Sequence, residues 1–209
     1  MATQKESAEV ATRREADVAA ERPMRADARR NRELLIDAAR EVFSAQGAAA
    51  SMEAIAKAAG VGVGTLYRHF PNRLDLVEAV YQTDVGELWE TAQRVSADLE
   101  PWPAVEAFFE AFLRYARTKQ ALMAELRQAF EKNPELRPRA RGMLESSFDL
   151  VIDRAKEAGA VRPDVTGSDV MQLVAPVCTN EAIEPEQANR LLQMVLDGMR
   201  TNAARTVLA

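Results

Sequence analysis

An all-α fold of about nine helices is what this sequence predicts, divided into a small N-terminal helix-turn-helix unit and a larger C-terminal helical body. Three observations predict it. Ala, Leu, Glu and Arg dominate, and no long stretch alternates Val, Ile and Thr as a sheet would need. Apolar residues recur at three- and four-residue spacing from Leu35 onward. Proline and glycine are sparse, at nine each in 209 residues.

Residues 1–30 hold Ala, Glu and Arg with almost no large apolar side chains. They predict a disordered tail with no face to bury. Arg22, Arg25, Arg29, Arg30 and Arg32 cluster at its end. Two readings stand: a solubilising tail, or an arm adding phosphate or minor-groove contacts. The helix-turn-helix unit is expected over 31–78 and the helical body over 79–209.

The first helix is expected from Asn31 to Gln46, with Leu35, Ala38, Ala39, Val42 and Phe43 on one face and Gly47 as its stop. Ser51 suits the N-cap of the second helix, and Glu53 its first turn. Met52, Ile55, Ala56 and Ala59 face inward, and Gly60-Val61-Gly62 makes a tight turn. A third short helix spans Val63 to Phe70, ended by Pro71. This helix, turn, helix layout over Ser51 to Arg73 places a second helix for a DNA major groove.

Asn72 caps a fourth helix with Asp75 three residues on, and the apolar stripe from Leu76 to Val95 runs to about Leu99. Such a helix spans about 40 Å, long enough to belong to both units. Pro101-Trp102-Pro103 marks a break before a fifth helix; a sixth stops near Asn133-Pro134. A seventh runs from about Pro138 to Ala158, Ser168 is expected to cap an eighth, and Pro185 to open a ninth.

One cysteine, Cys178, excludes an internal disulfide framework and a cysteine-based zinc site, and fits a reducing cytoplasm. It is either inert core or a sensor of thiol-reactive compounds. His69 is the lone histidine and cannot build a metal site. No cofactor is expected. The first residues lack the apolar core of a signal peptide, and no stretch suits a membrane span. The net charge is −5, yet Arg22 to Leu74 carries nine Lys/Arg against five Asp/Glu, while Leu76 to Ala209 carries fifteen against twenty-one. A basic end on an acidic body suits a protein that presents that end to phosphates.

Leu34 to Leu76 resembles the tetracycline-repressor (TetR) family of bacterial transcription regulators. The likeness rests on Ala38-Ala39, Phe43 and Gly47, then Ser51, Ile55-Ala56 and Ala59-Gly60-Val61, and last Gly64-Thr65-Leu66-Tyr67-Arg68-His69-Phe70. The resemblance implies phosphate contacts for Ser51, Tyr67, His69 and Arg73, and base-edge positions for Val63, Gly64, Thr65 and Arg68. Arg68 is the best candidate for guanine readout, and Thr65 for a thymine methyl. Ser51 also serves as a cap, and Tyr67 also suits packing alone. The family commonly has Ser or Thr at Gly62 and Lys at Arg73, so one hydroxyl is missing; with Val63 and Gly64 apolar or bare, base recognition rests on few side chains and readout leans on DNA shape.

The resemblance further implies a homodimer on a palindromic double-stranded DNA operator, acting as a repressor that a small-molecule effector releases. The last two helices would pair, with Val170, Leu173, Val174, Leu191, Val195 and Met199 as interface or ordinary core. Trp89, Trp102, Phe108, Phe109, Phe112, Tyr115, Met123, Phe130 and Phe148 are cavity lining or core. No charged pair stands out as a ligand anchor. An enzyme is the first rival, but no nucleophile elbow, phosphate-binding loop or HExxH motif is present. The second is a helical interaction module that kept the fold and lost DNA or ligand binding.

Overall fold

The computed structural model describes residues 27–180 and 182–201. The expected tail over 1–30 falls outside these residues up to position 26. Its last four residues are helical, and α1 covers 27–46, with an exposed Arg29–Glu33 pair at 3.9 Å one turn apart. A 3-10 turn over Gly47–Ala49 leads to α2 (Met52–Ala58) and α3 (Val63–His69). Then come α4 (Arg73–Asp98), α5 (Pro101–Ala121), α6 (Met123–Lys132), α7 (Leu136–Glu157), α8 (Gly167–Thr179) and α9 (Pro185–Met199). The described residues thus hold nine α-helices and no strand.

Local chemistry sets the boundaries. The Ser51 hydroxyl accepts from the Ala54 amide at 3.0 Å, and the Asn72 side chain accepts from the Asp75 amide at 3.0 Å. At the end of α2 the Gly60 amide donates to the Lys57 carbonyl and the Val61 amide to that of Ala56. That is a Schellman close, and it needs the left-handed φ of +68° that Gly60 adopts. Pro101 and Pro103 do not break the chain as expected. They sit in the first turn of α5, where a missing amide is harmless, and the break falls at Leu99 and Glu100. Ser168 does not cap α8. Thr166 does, because Asp169 three residues on completes a reciprocal capping box that Ser168 cannot form.

The long α4 packs against α5, α6 and α7, while α8 packs on α7 and α5 and is followed by α9. Leu35, Phe43, Ile55, Leu66 and Phe70 fill the centre of the N-terminal unit. Phe108 and Phe112 each meet Phe148 edge-on at 5.0 Å between ring centres, which fixes α5 against α7. The end of α9 is tied back by the Arg162 amide, which donates to the Met199 carbonyl at 2.9 Å.

Where α8 meets α7, a Cβ added at Gly167 would stand 2.5 Å from the Asp149 backbone nitrogen and 2.7 Å from the Phe148 carbonyl carbon. Backbone cannot yield as a side-chain tip can. Gly167→Ala is therefore expected to destabilise the protein by about 2–3 kcal/mol. Urea unfolding checks this; an unchanged midpoint would show that the contact relaxes freely.

Candidate nucleic-acid interface

The core-facing side of α3 is Leu66 and Phe70, at 0% and 2% exposure. Their burial turns Val63, Gly64, Tyr67 and Arg68 outward, with Val63 and Tyr67 at 39% and 43% exposure. Thr65 and His69 are half-buried on the flank. All six α3 positions expected at DNA therefore lie along one short helix, but only four point fully to solvent. The Arg68 guanidinium folds back on its own helix. Its Nε donates to the Gly64 carbonyl at 3.2 Å and an η nitrogen to Thr65 Oγ1 at 3.0 Å. It is held at the face it would read from, in bonds that a guanine edge can replace.

Ser51 is exposed beside this face. Its oxygen accepts the cap bond, which leaves the hydroxyl proton for another acceptor, so cap and phosphate contact are compatible. Gly62 gives α3 no side-chain cap. Of the basic run before the first helix, Arg22 and Arg25 lie outside the described residues. Arg29, Arg30 and Arg32 are exposed on α1. The Arg32 guanidinium sits 5.3 Å from the Phe70 ring centre, so this basic stretch borders the end of α3.

Arg73 stands apart from the exposed set. Two of its nitrogens meet one Glu125 oxygen on α6, at 3.2 and 2.7 Å. Another donates to the Ala50 carbonyl, and the guanidinium lies 4.7 Å from the Phe43 ring centre. One side chain thus joins α1, the loop before α2, the start of α4, and α6. Lys132 Nζ reaches Asp75 at 2.6 Å and the Asn133 amide donates to Glu78 at 2.7 Å, so the α6 end grips the first turns of α4.

A second link joins the units. Arg40 on α1 donates through Nε to Asp84 and through an η nitrogen to Glu87 on α4, both at 2.7 Å. Burial pushes the Asp84 carboxyl up to about 6, although Arg40 opposes this. Its folded-state affinity for a proton exceeds that of the unfolded chain. The associated stability is therefore full below pH about 4 and lost as pH rises to about 6. Asp84→Asn removes that dependence. The variant is expected to gain about 2 kcal/mol relative to the native chain between those pH values. Paired urea titrations measure it, and a difference that stays flat across this range would refute the assignment.

Behind α4 lies a cavity of about 510 Å³. Tyr81 of α4, Phe112, Tyr115 and Lys119 of α5, Arg137, Arg141 and Leu144 of α7, and Met171 and Pro176 of α8 line it. Of the aromatic set expected at a cavity, only Phe112 and Tyr115 line this one. Phe108, Phe109 and Phe148 are core, at 0–3% exposure. Phe130 packs edge-on against Tyr81 at 5.6 Å. Trp102 lies under the Arg200 guanidinium and donates to Glu106, away from the cavity, while Trp89 and Met123 are half-buried. Lys119, Arg137 and Arg141 escaped sequence reading. Arg137 and Arg141 are one turn apart, a signal common on any solvated helix.

On the outer side of α8 and α9 is an apolar groove of about 430 Å³. Leu173, Leu191 and Val195 line it together with Val177 and Met194, which the sequence did not single out. Leu173 and Met194 are 59% and 68% exposed, Val170 and Met199 also line the groove although little exposed, and Val174 alone of the expected set is core and does not line it. Cys178 is buried, and burial pushes its thiol up to about 11, so little thiolate forms at neutral pH. Among the described residues no helix is long and apolar enough to cross a membrane.

Residues 35–80 match the family described as bacterial regulatory proteins, tetR family. Residues 100–201 match the family described as transcriptional regulator SbtR-like, C-terminal domain. The structure is similar to that of a TetR transcriptional regulator from Streptomyces coelicolor: 35% identity, TM-score 0.74, covering 82% of this chain and 99% of that one. It is also similar to a TetR transcription regulatory protein from Mycobacterium vanbaalenii: 30% identity, TM-score 0.70, covering 86% and 100%. Over 136 residues it is 30% identical to an HTH-type transcriptional regulator of Staphylococcus aureus, covering 64% of this chain and 71% of that protein.

Proposed function

Because this chain belongs to the TetR family of DNA-binding transcriptional regulators, we propose that it is a homodimeric repressor released from a palindromic operator by a small-molecule effector. The family is one of regulators and not of enzymes. The observation that carries the reading is the exposed face of α3, with Arg68 held in place above Gly64 and Thr65. Arg68 and Thr65 read base edges, while Ser51, Tyr67 and His69 contact phosphates. Val63 and Gly64 let the helix come close to the duplex. Arg73 acts as a strut, since its guanidinium is engaged by Glu125, Phe43 and the Ala50 carbonyl.

The dimer forms through the α8–α9 groove. Leu173 and Met194 are large, apolar and exposed there, and a second copy would bury them. Two-fold pairing sets the separation of the two α3 helices, and with it the half-site spacing. An effector in the cavity behind α4 acts through the contacts between α6 and the start of α4. It must favour one separation of the α3 pair over another, or it shifts nothing.

The test is footprinting of genomic fragments with the purified chain. The expected result is a protected palindrome upstream of a transcription start. Protection at random positions would remove the operator reading.

A further inference from the structure

We propose that the cavity between α4, α5, α7 and α8 takes an organic carboxylate with an apolar body, its anionic end held between Lys119 and Arg137. This deepens the effector reading above and rests on it. Lys119, Arg137 and Arg141 line one cavity, and no Asp or Glu lines it with them. Arg141 has a partner, Glu145, at 2.8 Å on its own helix. Among the described residues no carboxylate lies within ion-pair distance of Lys119 or Arg137.

Lys119 is half-buried, with its ammonium 5.9 Å from the centre of the Tyr115 ring. Burial and the nearby Arg137 both act against its charge and lower its proton affinity. Two cations brought together without an anion are an unfavourable arrangement that a bound anion relieves.

A second observation is independent of charge. The Tyr115 hydroxyl is buried, in a residue 6% exposed, and its one polar neighbour among the described residues is the Tyr81 hydroxyl of the same cavity wall. Two phenol hydroxyls facing each other in a buried wall leave at least one proton without a good acceptor, and a carboxylate oxygen would accept it. Phe112 and Leu144 give the rest of the wall an apolar surface, so a free inorganic anion would leave most of the space unfilled. The volume of about 510 Å³ lies within the usual range for small-molecule sites.

The experiment uses the full chain and matched pairs of equal shape. These are 1-naphthylacetate with 1-naphthylacetamide, 4-phenylbutanoate with its amide, and octanoate with its amide, all by calorimetric titration. At least one carboxylate is expected to bind below about 1 mM and about 10- to 100-fold more tightly than its amide. Lys119→Met and Arg137→Met are each expected to remove most of that preference. Lys119→Met should keep or raise Tm, because a disfavoured charge is lost, which separates lost binding from lost folding.

The proposal is overturned if every carboxylate binds more weakly than about 1 mM, if the amides bind equally well, or if the double variant keeps the preference. DNA affinity is read in parallel. A carboxylate that binds here and leaves DNA affinity unchanged removes the effector reading and keeps the ligand class. Equal release of DNA by acid and amide does the reverse.

Discussion

Arg68→Ala is expected to weaken operator binding between about 30-fold and about 20,000-fold. Each half-site loses about 1–3 kcal/mol of base contact, and a symmetric dimer loses it twice. The loss arises at the DNA and not in the fold. Arg68 is exposed, and its bonds to Gly64 and Thr65 lie within one helix, so Tm should hold. The variant should also discriminate less between operators changed at the contacted base pair. Tyr67→Phe provides the contrast. It removes one hydroxyl from an exposed ring and should weaken all sequences alike, because phosphates carry no sequence information. Fluorescence anisotropy on native and point-changed operators separates the two patterns. Uniform weakening by Arg68→Ala would move that residue from base edge to backbone.

The second large effect is on stability. Arg73→Ala should lower it by about 2–4 kcal/mol, or roughly 5–12 °C in Tm for a chain of this size. The substitution leaves Glu125, whose side chain is 12% exposed, without its cation. Its Oε2 already lacks a hydrogen-bond partner. It also strips the Ala50 carbonyl of a donor and the Phe43 ring of its cover. Arg73→Lys should fall between, because an ammonium cannot serve Glu125, the carbonyl and the ring together. Calorimetric melting decides the matter. An unchanged Tm combined with a smaller salt dependence of DNA binding would make Arg73 a phosphate contact instead.

What the sequence disclosed and what it hid follow from the range of the forces involved. Ser51, Asn72 and Gly60 announce helix ends because caps and left-handed turns act within four residues. Leu66 and Phe70 announce the inner face of α3 by spacing alone, and that fixes which side of the helix is free. The prolines of α5 misled because a proline in a first turn and one in a break look alike along the chain.

The cavity was hidden for a different reason. Lys119 and Arg137 stand on separate helices, and only packing brings them to one wall. Of the aromatic residues read as cavity lining or core, Phe108 and Phe148 are core. Arg73 looked like a surface cation because its partner, Glu125, is 52 residues away. In each case the missing information was a long-range contact between side chains whose local surroundings are ordinary.

The central claim is that α3 enters DNA as one of a symmetric pair. The most direct measurement is the binding of the full chain to its footprinted operator at 50 and 200 mM salt, with stoichiometry from sedimentation. Two chains, or a multiple of two, are expected on a palindrome, with a loss of about 1,000-fold or more between those salt concentrations. A monomer in solution, or binding that ignores both salt and sequence, would contradict it.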